Sequence, residues 1–516
     1  MVLSQLFGQL ALAATALAVP LVGREATTAN SAETIAWGPC DFDTAGKGPI
    51  ECAAFPVPLD YTDAGSTKKL MLSLIKSPAP NPTTSKKSIL FNFGGPGYEA
   101  VHTLNSLADR LHATTGGQHD LIAFDPRGLG NTIRFSCFDN ATDRQVATLQ
   151  FPVLPTTAYE TALAQTFAGA EVWSNLCYAK NKDNENAKYL GTAFVARDLM
   201  SVVDALGEDG LLRYWGLSYG STLGATVAAM FPDRMDRIVL DGVVNSHNYY
   251  HRLGIDVDQL LSADDAFRSI LDQCLAAGPE RCALASLKGN TTAAELEATL
   301  LATIDRYHKN PVAAGTTVVD GNVVGQIMFI TIKYTGDVPN AAVHLRNLVN
   351  GVNITEAAAY NTALNAGIAQ GNDDSFLGIK CSDTFPRADT LEGIMPDVNA
   401  MLHSSKLFGA QIASIAAQCA SWPWEAKERY EGNFKGIKTK NPLLLFGNTY
   451  DPVTPVVNAK NMSAGFEGSV VVEQHGYGHA TVSQPSNCTT QIMQSYFTKG
   501  TLPKPGTLCE VNTSLF

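Results

Sequence analysis

Five residues near the middle of the chain, Gly216-Leu217-Ser218-Tyr219-Gly220, restrict the fold more than any other stretch. Before them, Leu211-Leu212-Arg213-Tyr214-Trp215 is apolar enough for a short buried strand. After them, Ser221-Thr222-Leu223-Gly224-Ala225-Thr226-Val227-Ala228-Ala229-Met230-Phe231 has the small, apolar residues of a buried helix. A strand that turns at once into a helix has no room for side chains two residues either side of the turn, and glycine stands at both places. A serine at such a turn is lifted above the sheet. It sits at a helix N-terminus, where positive potential and free N–H groups face a ligand. Taken alone the pentapeptide also fits an ordinary glycine-rich turn, so its partners along the chain decide the matter.

The first half of the chain repeats the alternation of strand and helix. Phe55-Pro56-Val57-Pro58-Leu59-Asp60-Tyr61 and Leu70-Met71-Leu72-Ser73-Leu74-Ile75 read as early strands. Ser88-Ile89-Leu90-Phe91-Asn92-Phe93 is a strand ending in Gly94-Gly95-Pro96-Gly97, followed by a helix over 100–112. Leu121-Ile122-Ala123-Phe124-Asp125 and Arg237-Ile238-Val239-Leu240-Asp241-Gly242 are further strands, with a helix over 194–206 between them. Residues 133–188 read as an excursion outside the core. Continuous apolar strands alternating with helices predict a parallel sheet covered on both faces.

From 244 to 438 the pattern becomes predominantly helical. Apolar residues recur at helical spacing over 255–275, and Thr292-x-x-Glu295 is a capping box. The strand pattern resumes at Pro442-Leu443-Leu444-Leu445-Phe446-Gly447, with a last strand at Ser469-Val470-Val471-Val472-Glu473 and a final helix over 489–497. The expected organisation is a signal peptide over 1–18, a first core segment over 19–243, a helical lid domain over 244–438, and the rest of the core over 439–516.

The signal peptide is read from an apolar run through Leu10 to Ala18 that ends in Ala16-Leu17-Ala18, a small-residue cleavage pattern. No other run has the length of a membrane span. Ten cysteines, an even number, and six glycosylation acceptors, Asn140, Asn290, Asn353, Asn461, Asn487 and Asn512, agree with a secretory route. The cysteines fall into neighbours along the chain. Short loops cost least closure entropy, so the pairs expected are Cys40–Cys52, Cys137–Cys177, Cys274–Cys282, Cys381–Cys419 and Cys488–Cys509. A net charge of −12 without long charged blocks argues against nucleic acid or an anionic membrane as partner. No cysteine–histidine cluster predicts a metal, and the chemistry below requires no cofactor.

A serine nucleophile needs a base and an acid that orients it, and in such a sheet both arrive on loops at strand C-terminal ends. Asp451 follows the strand at Leu443, and His479 follows the strand at Val470. His475 and Asp241 are the competitors. Glycines at 476 and 478 favour the later histidine, and Gly242 marks Asp241 as a structural turn. Pro96 carries no N–H, so an oxyanion would be met by the amide of Gly95 with that of Tyr219. The glycine loop lacks the Gly-Lys-Ser/Thr of a phosphate cradle.

Asn92-Phe93-Gly94-Gly95-Pro96-Gly97, Asp125-Pro126-Arg127-Gly128, Gly216-Leu217-Ser218-Tyr219-Gly220, Asp451-Pro452-Val453-Thr454-Pro455 and Gly478-His479 together resemble the secreted tripeptidyl-aminopeptidase-like branch of the α/β-hydrolases, kin to the proline iminopeptidases. The resemblance implies an α/β-hydrolase fold with a large helical lid insertion. It also implies a secreted serine hydrolase that forms an acyl-enzyme and releases short N-terminal peptides or residues. An esterase, lipase or lactonase, serving small-molecule biosynthesis, would use the same machinery; a non-catalytic binding protein is the third reading. An aminopeptidase must hold a cationic α-amino group. Glu99, just after the glycine loop, and Asp383, beside Cys381, are the carboxylates expected to do so. Where relatives continue that loop with small residues, this chain has Tyr98-Glu99-Ala100. The expected partner is a short peptide or small ester, with no membrane association after signal removal; oligomeric state is left open.

Overall fold

The computed structural model describes residues 34–44, 48–84, 87–183, 186–254, 256–289, 291–368 and 373–516; the signal-peptide stretch and Asn290 lie outside them. The apolar runs become the centre of one sheet, and the reason is visible residue by residue. In Ser88–Asn92 (β3), Ile89 and Phe91 face one way and Leu90 the other. In Leu212–Leu217 (β5), Trp215 and Leu217 oppose Tyr214, and in Met235–Asp241 (β6) Val239 opposes Ile238 and Leu240. A strand buried on both faces needs an apolar side chain at every position. The helices Ala100–Thr115 and Asn487–Lys499 cover the first face, and Thr192–Ala205 and Tyr219–Met230 cover the second.

The remaining strands are Glu51–Pro58 (β1), Lys69–Ser77 (β2), Asp120–Phe124 (β4), Leu444–Tyr450 (β9), Val470–Tyr477 (β10) and Leu508–Glu510 (β11). A separate hairpin pairs Val312–Ala314 (β7) with Thr317–Val319 (β8). The sheet runs β1-β2-β4-β3-β5-β6-β9-β10-β11. The pairs β1–β2 and β2–β4 are antiparallel, and the others are parallel. Phe91 stands beside Trp215, and Trp215 beside Val239, which puts β5 near the middle. This is the expected α/β-hydrolase architecture.

Between β6 and β9 the chain is mostly helical and carries a cluster of its own, built on residues such as Phe267, Leu296, Ile327, Leu345 and Phe408. The capping box forms, with Thr292 and Glu295 bonded reciprocally at the start of Ala293–Lys309. Several details differ from the sequence reading. The helix expected from 255 begins at Ala263, because residues 256–259 turn around the carboxylate of Asp256. The hairpin β7–β8 interrupts the helices. The strand at 469–473 is not the last, since β11 adds to the sheet edge beside β10. The excursion at 133–188 is packed rather than free: Phe135 meets Trp422 and Trp424 edge-on, and Asp374 accepts from the N–H of Cys137 at 2.7 Å.

The bridges Cys40–Cys52, Cys137–Cys177, Cys274–Cys282, Cys381–Cys419 and Cys488–Cys509 are closed. Asn140, Asn353, Asn461, Asn487 and Asn512 are all exposed.

Candidate active site

At the end of β5 the chain turns into the helix Tyr219–Met230 through Ser218, whose φ of 57° and ψ of −125° are strained for a residue with a side chain. A Cβ on Gly216 would lie 2.1 Å from the carbonyl oxygen of Gly220, and one on Gly220 would lie 2.3 Å from the carbonyl oxygen of Asn92, so each position needs glycine for its own reason. Hydrogen bonds brace the turn from beneath. The N–H of Ser218 donates to Asp241 O at 3.0 Å, and the Tyr214 hydroxyl donates to Gly220 O at 2.8 Å. The Ser221 hydroxyl donates to Ser218 O at 2.5 Å and accepts from the N–H of Val244 at 2.9 Å.

The glycine loop after β3 lies directly against this turn. A Cβ on Gly94 would meet Ser218 Cβ at 2.8 Å and the amide nitrogen of Tyr219 at 3.2 Å, so only glycine allows the approach. The N–H of Gly94 is tied back to Asn92 Oδ1 at 3.0 Å. The Asp125-Pro126-Arg127-Gly128 motif does structural work nearby. Arg127 is fully buried and paired with Asp198 through Nε at 2.6 Å and Nη2 at 2.8 Å, while Asp125 accepts from the N–H of Val101 at 3.1 Å.

Asp451 follows β9 and is fully buried. Its Oδ1 accepts from the N–H groups of Val453 and Thr454, both at 2.9 Å, and its Oδ2 from the N–H of Ala480 at 2.8 Å. His479 follows β10, with Nδ1 at 3.3 and 3.2 Å from the two carboxylate oxygens. Burial alone would raise the Asp451 carboxyl, but the charge and hydrogen bond of His479, with those amides, hold it below the usual range. The Thr454 hydroxyl donates to Asp451 Oδ2 at 2.7 Å and therefore offers its lone pair to His479 Nδ1, 3.0 Å away. Acceptors surround Nδ1, so that nitrogen carries the proton and Nε2 is left as a base.

The loop bearing His479 is pinned from several sides. Asn448 Nδ2 donates to the carbonyls of Gly478 and Ala480 at 2.9 and 2.7 Å, and the Ser483 hydroxyl donates to His479 O at 2.6 Å. The N–H of His479 itself donates to Lys333 O at 3.0 Å, at the end of the helix Gly321–Lys333 from the helical insertion.

The competitors lie elsewhere. Asp241 accepts from the N–H and hydroxyl of Thr481 at 2.9 and 2.6 Å, and burial pushes its carboxyl up to about 6. It supports the histidine loop from below without touching the ring. His475 sits on β10, its ring 5.7 Å from that of Tyr450.

Ser218 and His479 line one cavity of about 850 Å³, with Phe93, Gly95, Tyr98, Leu217 and Thr454 from the core and Phe329, Lys333, Phe376 and Ile412 from the insertion. Neither expected amine-binding carboxylate reaches it. Glu99 points out beside His102, 3.7 Å away, on a side chain 43% exposed. Asp383 is buried and not among the residues lining the cavity; it accepts from the N–H and hydroxyl of Thr192 and from the Tyr249 hydroxyl at 2.9, 2.5 and 3.0 Å. Burial raises its carboxyl to about 6. These bonds tie the insertion to the core helix Thr192–Ala205.

The carboxylate that does line the cavity is Asp256, which the sequence reading missed, as it missed Lys333 and the bridging role of Thr454. Four N–H groups already occupy the Asp256 oxygens, from Asn245, Asn248, Asp258 and Asn458 at 2.9, 3.2, 3.0 and 2.6 Å. Desolvation still raises this carboxyl to about 6. The Asp256-Val257-Asp258 spacing ahead of a helix was the available signal, since such acids fold onto nearby backbone N–H groups.

Residues 87–270 match the family described as alpha/beta hydrolase fold, and residues 405–509 match the family described as TAP-like protein. The tripeptidyl aminopeptidase of Streptomyces lividans is 26% identical over 481 residues, covering 90% of this chain and 84% of the relative. The serine protease Hip1 of Mycobacterium tuberculosis is 26% identical over 527 residues, covering 97% and 96%. A putative hydrolase of Escherichia coli, YuaR, is 24% identical and covers 89% of each chain.

Proposed function

For a chain that belongs to the TAP-like α/β-hydrolase family, we propose the function of a serine hydrolase that acts on short peptides and releases residues or small peptides from the N-terminus. One observation carries the reading: a strained serine and a histidine held through Nδ1 by a buried carboxylate open onto the same cavity. The names of the relatives support the peptidase class, and about 850 Å³ accommodates a short peptide rather than a folded chain.

In this scheme Ser218 Oγ attacks the scissile carbonyl carbon while its proton passes to His479 Nε2. The oxyanion forms beside the N–H groups of Gly95 and Tyr219, backbone donors carried on the glycine loop and at the start of the helix Tyr219–Met230, whose dipoles can stabilise it without large reorganisation. His479 then protonates the leaving amine, the C–N bond breaks, and the acyl group remains on Ser218 as an ester. Water gives a proton to the same nitrogen, attacks the ester, and restores the hydroxyl. Asp451 keeps the imidazole in the tautomer this sequence requires and stabilises the imidazolium in between.

The insertion over 244–438 acts as the lid that walls the cavity and sets substrate length. Five disulfides and five exposed glycosylation acceptors support secretion, and no helix among the described residues is long and apolar enough to cross a membrane. The test is a fluorophosphonate probe together with Ser218→Ala. Labelling and peptide turnover should both disappear, the latter by roughly 10³-fold or more, with the thermal transition kept. Labelling that survives in Ser218→Ala moves the nucleophile to another residue.

A further inference from the structure

Lys333 ends the helix Gly321–Lys333 and turns its side chain into the cavity that Ser218 and His479 share. Among the described residues lining that cavity it is the only lysine or arginine. Its position is fixed by the chemistry around it, because its own carbonyl accepts the N–H of His479 at 3.0 Å. Elsewhere in the protein, buried and half-buried cations are matched. Arg127 has Asp198, Arg197 has Glu428, and Lys380 has the carbonyls of Tyr249 and Arg252. The Lys333 ammonium makes no hydrogen bond or ion pair to any described residue; its Nζ lies 5.1 Å from the ring of Tyr334. Burial pushes the ammonium below the usual lysine range; the field of Asp451, whose carboxylate is already engaged by His479, and of Tyr98 offsets this only in part.

A desolvated cation with no acceptor in hydrogen-bond or ion-pair contact, placed in a binding cavity, is a site for an anion. The acid side of the cavity does not answer it, because all four acceptor positions of Asp256 are taken by amides. Resting on the serine-hydrolase reading above, we propose that Lys333 is a specificity residue that pairs with a carboxylate of the substrate, so that the cavity selects short peptides carrying a negative charge near the bond cut at Ser218. The free C-terminus of a short peptide and an acidic side chain present the same group to Nζ.

The experiment uses the full chain with Ser218→Ala, so that bound peptides persist, and measures equilibrium binding by calorimetry. One arm compares neutral tri- and tetrapeptides as free acids and as C-terminal amides. The other compares amidated peptides that differ only by Glu or Gln. At least one arm should favour the carboxylate by about tenfold, the scale of one charge-assisted hydrogen bond. Lys333→Met in the same background should bring that ratio close to one, and Lys333→Arg should retain most of it. No preference in either arm, or a preference that persists in Lys333→Met, overturns the assignment. The first of these needs no variant at this position, so misfolding cannot mask it. Turnover of peptides by Ser218→Ala would instead count against the nucleophile, leaving the two ideas separately testable.

Discussion

Replacing Asp451 with Asn separates the two acids near the histidine, and the structure dictates how the new amide must sit. Oδ1 receives two backbone N–H groups, from Val453 and Thr454, so the amide oxygen takes that position. The NH₂ group then occupies the place of Oδ2 and donates to His479 Nδ1, which fixes the proton on Nε2 instead. With Nε2 protonated, the imidazole cannot take the proton of Ser218. A wrong tautomer in a triad of this kind costs about 10⁴-fold in turnover, equivalent to roughly 5 kcal/mol in the barrier. The N–H of Ala480 also loses its acceptor, an added folding cost of about 1–3 kcal/mol. The assay is steady-state kcat on a small activated ester with a thermal melt of the same sample, alongside Asp241→Asn. Asp451→Asn should lose about four orders of magnitude and remain folded, whereas Asp241→Asn should stay within about tenfold of the native enzyme. A loss below tenfold in Asp451→Asn, or equal losses in both variants, refutes the reasoning.

Two further outcomes concern stability. The Asp241 carboxyl stands near 6 in the folded protein against 3.8 for its ordinary value, so the folded state binds the extra proton between those values. Its contribution is fully present below about pH 4 and is lost as pH rises through 6, by up to about 3 kcal/mol. Asp241→Asn keeps an acceptor and a donor for Thr481, so its melting temperature should fall less than that of the native protein between pH 4.5 and 7.5; parallel slopes would count against it. Removing Cys488–Cys509, whose partners are 21 residues apart, should lower stability by about 3 kcal/mol, read as a drop in melting temperature, while kcat changes little.

The central strands were legible because a doubly covered strand is apolar along its middle, as Ile89-Leu90-Phe91 in β3, Tyr214-Trp215 in β5 and Ile238-Val239-Leu240 in β6 are; the polar Ser88, Asn92, Arg213, Asp236 and Asp241 lie toward the strand ends. Asp451 and His479 were legible because their loops follow such strands. Strand β11 was not: only Cys509 of its three residues is buried, and its place beside β10 comes with the bridge to Cys488. The residue type of Glu99 and Asp383 could be read, but not their direction. Whether an acid faces a cavity or Thr192 and Tyr249 depends on how the insertion seats on the core, which is a long-range packing outcome. The places of Lys333 and Thr454 in the cavity were hidden for the same reason, and the spacing of Asp256 and Asp258 signalled a turn ahead of a helix but not that Asp256 faces the cavity.

The hydrogen bond from the N–H of His479 to Lys333 O has a mechanical consequence. The helix Gly321–Lys333, which lines the cavity, is latched to the backbone of His479, and a different helix of the insertion, Ala263–Ala277, is tied through Ser269 at 2.5 Å and Gln273 at 2.6 Å to the hydroxyl of Tyr477, two residues upstream. A swing of Gly321–Lys333 would drag the imidazole away from Ser218, so opening it would disarm the enzyme. Movement of the insertion and readiness of the histidine are thereby coupled, so only the arrangement in which that helix is seated presents an armed site.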